Sequence, residues 1–123
     1  MINYVYRNVN PKQDTIEDCV TRAITTVTNL DYNSVVNLLN WTARVYGCDK
    51  LNVNCYCNLL SDIFQYKSYE CYDNETVSYI AKCFPNSKLL IRIEGHLTCS
   101  LYGSVNDIWD CSNKIVDRFW VVR

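Results

Sequence analysis

The chain has 123 residues, of which 49% are hydrophobic, 20% are charged, 3 are Gly and 2 are Pro, which fits one compact domain over residues 1–123 and excludes a disordered or collagen-like protein. Its 12 Lys and Arg against 13 Asp and Glu give a net charge of -1, so a nucleic-acid partner is not expected, because no basic excess is present to hold a polyanion. Since no apolar run reaches the length of a membrane span, about 20 residues, and the polar start lacks the features of a signal peptide, we expect a soluble protein of the cytoplasm with no membrane partner.

Helical patterns come first along the chain. Thr15, with Asp18 three residues later, resembles a capping box at the start of the first helix. Asp31 can cap the second helix and Gly47 can end it, while Asn74 can cap the last. The four predicted helices span about residues 15–29, 32–46, 55–65 and 75–84.

From Lys88 onward the pattern changes to short β-rich runs separated by turn-forming residues. The predicted strands span residues 89–93, 97–102, 107–111 and 115–122. Their connections, Glu94-Gly95 and residues 103–106 and 112–114, are short, as is typical between antiparallel strands. The sequence therefore predicts an α+β fold in which the N-terminal helices pack on one face of a C-terminal antiparallel sheet of about four strands.

Eight cysteines raise the question of disulfides and metals. They are Cys19, Cys48, Cys55, Cys57, Cys71, Cys83, Cys99 and Cys111. Without an export signal we expect reduced thiols, most of them serving as small buried hydrophobic side chains. The closest pair is Cys55-x-Cys57 and the single histidine is His96, a set that lacks the C-x-x-C spacing of zinc sites, so no metal is expected.

Two residues stand out as candidates for chemistry. His96 follows Gly95 at the mouth of a predicted strand, a position that leaves an imidazole exposed at the end of a sheet. Cys19 lies in the first turns of the first predicted helix, where free N–H groups and the helix dipole stabilise a thiolate. A structural histidine and a buried helical cysteine are the alternatives.

Two further residues could complete an acyl-transfer site. Gln13 precedes Cys19 by six positions, so its side-chain N–H and the Cys19 backbone N–H could together form an oxyanion hole. Asp110 falls on the strand predicted after that of His96 and could orient the imidazole. Asp107 is its rival, although it is expected at the turn, and a solvated edge-strand aspartate is the alternative for Asp110.

The ordered pattern Gln13-x4-Asp18-Cys19, then Gly95-His96, then Asp110 resembles the papain-like cysteine peptidase superfamily. It is most similar to the small peptidase domains that process double-glycine bacteriocins, whose motif is Gln-x4-Asp-Cys. The segment 18–24 also resembles small papain-like proteins encoded by bacteriophages and their hosts. The resemblance runs in order over residues 13–120.

The resemblance implies a papain-like fold and a thiol hydrolase that needs no cofactor. It implies Cys19 as the nucleophile, His96 as the general base and acid, and Asp110 as the orienting group. It further implies Gln13 as the oxyanion-hole donor. Two positions depart from the bacteriocin-processing motif: Val20 replaces the Gly that follows the cysteine, which narrows the site, and the residue after Asp110 is not the Pro often found there.

Three functions follow from the sequence. The first is hydrolysis of a peptide, isopeptide or related amide bond, with a peptide or protein substrate. The second is a papain-like binding module with a weak or inactive site, such as a phage protein that acts on a host factor through an aromatic surface supplied by Trp41, Trp109 or Trp120. The third is a cysteine-rich structural protein held by zinc or disulfides. The oligomeric state is not predicted.

Overall fold

The computed structural model describes residues 3–13 and 17–122 and has an α+β architecture. Its elements in chain order are β1 (Tyr4–Tyr6), α1 (Cys19–Thr28), α2 (Tyr32–Tyr46), α3 (Val53–Cys57), β2 (Lys67–Glu70), α4 (Val77–Cys83), β3 (Lys88–Ile93), β4 (His96–Leu101), β5 (Ser104–Asp107) and β6 (Val116–Val122). Helix α3 continues as a π-helical turn over Asn58–Ile63. None of the helices in the described ranges is both long and apolar enough to cross a lipid bilayer.

The strands form one mixed sheet in the order β1-β5-β4-β3-β6-β2. Strand β1 pairs with β5 in parallel, and the other pairings are antiparallel. The prediction of about four antiparallel strands was therefore wrong, because it omitted both edge strands. Strand β1 has only three residues, and β2 has four that are all exposed. Both are too short to show the alternation of apolar and polar residues by which a strand is recognised in sequence.

Helices cover both faces of the sheet. On one face, residues of α1 and α2 such as Ile24 and Leu39 pack with Leu90 and Trp120 of the sheet. On the other face, α4 packs through Ile80 against a second set of strand residues. The expectation that all helices share one face was wrong, because neighbouring residues of a central strand point to opposite faces and both sets are apolar here.

The local helix signals are mostly confirmed for α2. The Asp31 carboxylate accepts hydrogen bonds from the backbone N–H groups of Asn33 and Ser34, and Gly47 ends the helix in the left-handed conformation. The first predicted helix is shorter than expected, since α1 begins at Cys19 with Asp18 before it. The predicted start at Thr15 lies outside the described residues.

The other two helices begin at different residues from those predicted. The third starts earlier, at Val53, because the Asn52 side chain accepts a hydrogen bond from the Asn54 N–H and caps it. The fourth starts later, at Val77, where Thr76 rather than Asn74 provides the cap. In both cases an Asn or Thr close to the predicted start satisfies the free N–H groups of the first turn equally well.

The hairpin between β4 and β5 differs most from its prediction. Residues 103–106 were expected to be the turn, whereas the chain turns at Tyr102-Gly103, with Leu101 paired to Ser104. Both turn residues have positive φ, 52° and 91°, as a tight two-residue hairpin requires. The next strand is therefore Ser104–Asp107 and not residues 107–111.

Two cysteines are joined in the structure. Cys48, just after α2, forms a disulfide with Cys55 in α3, with a Cα–Cα distance of 5.5 Å. The expectation of reduced thiols throughout the chain is wrong for this pair. The loop between the two helices turns back on itself and so brings the two cysteines together. Their spacing in the sequence does not reveal that turn.

Candidate active site

Cys19 is the first residue of α1 and is half-buried. At this position the backbone N–H groups of the first helical turn have no partners within the helix, and the helix dipole favours negative charge. Helix α1 packs on β4, which begins at His96. The nucleophile and base of the predicted pair are therefore brought together by the packing of one helix on one strand.

His96 follows a two-residue turn at Glu94-Gly95 and is paired with Ile93. Its Nε2 lies 2.7 Å from Oδ2 of Asp107, the last residue of β5. The β4–β5 register pairs Cys99 with Asn106, so the next residue, Asp107, lies opposite Thr98. Thr98 is two residues from His96, and the two side chains therefore point to the same face of the sheet as Asp107. The short hairpin is thus what aligns the carboxylate with the imidazole.

Asp110 does not take part in this arrangement, which corrects the assignment of the orienting residue. Its side chain is exposed, and Oδ1 accepts hydrogen bonds from the Ser112 N–H, at 3.0 Å, and from the Ser112 hydroxyl. Asp107 is buried and contacts the ring. The misassignment follows from the misplaced turn, because a turn at residues 103–106 would have moved the strand forward by three positions.

The three side chains shift one another's ionisation. Burial raises the pKa of the Cys19 thiol, but hydrogen bonds from His96 and from the Leu97 backbone, with the charge of His96, outweigh it, so this pKa is lowered. Burial lowers the pKa of His96, but hydrogen bonds to Asp107, Cys111 and Cys19 raise it well above its usual value. Burial opposes ionisation of Asp107, yet His96 holds the pKa of that carboxyl below its usual range. The arrangement favours a thiolate beside an imidazolium.

Gln13 is not at this site. Its side-chain Nε2 donates to the backbone carbonyls of Asn8, at 3.0 Å, and Asn10, at 2.9 Å, and so stabilises its own loop. The predicted role of Gln13 in an oxyanion hole is therefore not supported by its contacts. Another amide residue, Asn52, lines the same cavity as Cys19 and His96.

Two residues near His96 were not assigned to the site from the sequence. The Trp109 ring lies with its centroid 5.2 Å from that of His96 and is partly exposed. The Cys111 Sγ is buried, 3.9 Å from Oδ2 of Asp107. Both follow β5 directly, so the hairpin that carries the carboxylate also carries them, but no sequence spacing distinguishes them from their neighbours.

The candidate site opens into two adjoining cavities. One, of about 180 Å³, is lined by Cys19, His96 and Asn52 and by Val20, which is itself almost fully buried. The other, of about 350 Å³, shares Cys19 and His96 and extends towards Trp109. The thiol and imidazole therefore line both cavities.

The side chains of His96, Asp107 and Cys111 each offer a potential metal ligand, and these atoms lie within 4.8 Å of one another. A cation there would compete with the hydrogen bond between His96 and Asp107, and the Arg22 guanidinium, 3.9 Å from Asp107, would repel it. The charges of the cluster are thus already balanced by protein groups, and the donor set suits acid–base chemistry better than a metal.

Comparison of the chain with protein-family models, with curated proteins and with solved structures found no match.

Proposed function

We propose that the protein is a thiol hydrolase of the papain-like type that cleaves a peptide, isopeptide or related amide bond. The observation that carries this proposal is the Cys19–His96–Asp107 arrangement: a thiol at a helix N-terminus hydrogen-bonded to an imidazole, whose Nε2 is 2.7 Å from a buried carboxylate. A nucleophile, a base and an orienting group in this order are the parts that acyl transfer through a thiol requires.

In the proposed reaction the Cys19 thiolate attacks the carbonyl carbon and forms a carbon–sulfur bond. The His96 imidazolium gives its proton to the leaving nitrogen as the carbon–nitrogen bond breaks, so an amine leaves and a thioester remains. A water molecule then attacks the thioester while His96 accepts its proton. The carbon–sulfur bond breaks, the acid is released, and the Cys19 thiolate and His96 imidazolium are restored. Asp107 orients the ring and stabilises the imidazolium throughout.

The negative oxygen of the tetrahedral intermediate needs hydrogen-bond donors. The backbone N–H of Cys19, at the start of α1, is one. We assign the other to the Asn52 side-chain amide, whose Oδ1 accepts from the Asn54 N–H at 2.9 Å, since this bond fixes the amide in the wall of the cavity that contains Cys19. Asn52 thus takes the role that the resemblance gave to Gln13.

The test of this function is the reactivity of Cys19 in alkylation by iodoacetamide, read by peptide mass. Cys19 should react at a pH of about 6, at which an ordinary thiol is almost entirely protonated. The half-buried free thiol of Cys57 is the internal control. His96→Ala should remove the advantage of Cys19 and leave Cys57 unchanged. Equal labelling of the two thiols at this pH in the unmodified protein would refute the proposal.

A second candidate function is binding through an apolar surface, with the thiol site weak or inactive. Trp41, Val45 and Tyr46 of α2 are each more than 40% exposed, and positions 41 and 45 lie on one side of that helix. Trp120, by contrast, is fully buried and serves the core. If Cys19 proves unreactive, a Trp41→Ser change that abolishes capture of a partner would support this function.

A further inference from the structure

A buried arginine lies beneath the candidate site. Arg22 is on α1, three residues after Cys19 and four after the N-cap residue Asp18, spacings that place its side chain beside each of theirs. Its side chain is 7% exposed and forms an ion pair with Asp18, while its Nη2 lies 3.9 Å from Oδ1 of Asp107. The guanidinium therefore lies between the residue before the nucleophile and the residue that orients the base.

Asp107 divides its two carboxylate oxygens between partners. Oδ2 contacts His96 Nε2, whereas Oδ1 accepts a hydrogen bond from the Ile108 N–H at 2.7 Å and faces Arg22. Rotation of the carboxylate would break contacts on both sides at once. Removal of Arg22 would therefore remove one of the interactions that set the orientation of the carboxylate.

Asp18, the other partner of Arg22, is also fixed by hydrogen bonds. Its Oδ2 accepts hydrogen bonds from the Tyr32 hydroxyl, at 2.7 Å, and from the Asn10 side chain, at 2.9 Å. The start of α1 is thus tied to α2 and to the N-terminal segment through one buried carboxylate. Arg22 extends this network to β5 and links the helix that carries the thiol to the strand that carries the orienting carboxylate.

We propose that Arg22 is a positioning residue of the site, which bridges Asp18 and Asp107 and so holds His96 in its working orientation beside Cys19. The inference rests on the proposed function for its role in catalysis. The bridge itself is a property of the folded protein that can be measured without a substrate. It needs two nitrogens, since Nη1 pairs with Asp18 and Nη2 lies near Asp107. Arginine rather than lysine supplies two nitrogens on one charged group.

A direct charge effect and a positioning effect predict opposite results. If Arg22 acted on His96 only as a nearby positive charge, its removal would favour the imidazolium and raise the pKa of His96. If Arg22 positions Asp107, its removal weakens the His96–Asp107 hydrogen bond and lowers that pKa. Among the described residues, other titratable groups that interact with His96 or Asp107 include Cys19 on α1, Tyr4 on β1, Cys99 on β4 and Cys111 after β5, and they are the same in each variant.

The experiment is a pH titration of the His96 ring by ¹⁵N NMR, which is free of overlap because the chain has one histidine. Arg22→Gln should lower the pKa of His96 by about one unit, a tenfold change in its proton affinity. Arg22→Lys should shift it in the same direction by less, because one ammonium reaches only one of the two carboxylates. Arg118→Gln, at a partly exposed arginine on β6 paired with Glu70, is the matched control and should leave the titration unchanged.

An unchanged or raised pKa of His96 in folded Arg22→Gln overturns the bridge. If that variant does not fold, as judged by circular dichroism, Arg22→Lys decides, and a titration identical to that of the unmodified protein overturns the bridge equally. Alkylation of Cys19 in the unmodified protein is read separately. If Cys19 of the unmodified protein does not alkylate at a pH of about 6, the proposed hydrolase function is refuted. If the pKa of His96 is the same in Arg22→Gln and the unmodified protein, the role of Arg22 is refuted.

Discussion

The identity of the orienting carboxylate can be tested with a matched pair of aspartates at the scale of single residues. Asp107→Asn should slow alkylation of Cys19 at a pH of about 6 by about 10²-fold or more, because an amide neither stabilises the imidazolium nor selects the same tautomer. Asp110→Asn should change the rate by less than about twofold, since that side chain contacts Ser112 and not His96. A larger effect of Asp110→Asn than of Asp107→Asn would contradict the geometry.

The raised pKa of His96 makes stability depend on pH. A group whose folded pKa is raised stabilises the fold below its unfolded pKa, about 6.5, and that contribution is lost as the pH rises towards the folded value. The pKa of Cys19 is lowered, which adds a second pH dependence of its own. Cys19→Ser removes that contribution and leaves the one from His96. We expect the free energy of unfolding of Cys19→Ser, from urea denaturation, to fall by about 1.4 kcal/mol per pH unit above about pH 7.

The control for this titration is the double variant Cys19→Ser/His96→Gln, which lacks the imidazole and should show no such slope. The slope, rather than the absolute stability, is the quantity compared, because His96→Gln also leaves Asp107 without its partner. Parallel pH profiles for the two proteins would show that His96 does not have a raised pKa in the fold.

At the scale of elements, the Cys48–Cys55 disulfide closes the loop between α2 and α3 that supplies Leu51 and Asn52 to the cavity wall. The two cysteines are seven positions apart, and a loop of this size restricts the unfolded chain by about 2 to 3 kcal/mol. Cys48→Ser should lower the free energy of unfolding by that amount without reductant. With reductant, the variant and the unmodified protein should be nearly equal, and a difference that persists there would contradict the assignment.

At the scale of the whole molecule, the sheet separates two cores that should respond independently to mutation. Ile24 is fully buried on the face covered by α1, and Ile80 is buried on the face covered by α4. Each Ile→Val change should cost about 0.5–1.5 kcal/mol in urea denaturation. Because the two side chains share no partners, the double variant should equal the sum within about 0.5 kcal/mol. A coupling energy above about 1 kcal/mol would show that the faces are not independent.

The sequence by itself determined the features that depend on neighbours along the chain. The cap at Asp31, the helix end at Gly47 and the turn at Glu94-Gly95 all follow from local hydrogen bonds and backbone preferences, and each is confirmed. The pairing of Cys19 with His96 was predicted on other grounds, namely the ordered pattern that resembles the papain-like peptidases, because the two residues are far apart in the chain.

Only the tertiary structure decided which partners complete the site. Asp107 replaced Asp110 because Tyr102 takes a positive φ, a conformation that sequence patterns assign to Gly or Asn rather than to Tyr. No role was assigned to Arg22 from the sequence, yet the fold buries it between two carboxylates. Contacts between residues distant in the chain depend on strand register and on how helices pack, and these are set by the whole core rather than by any one segment.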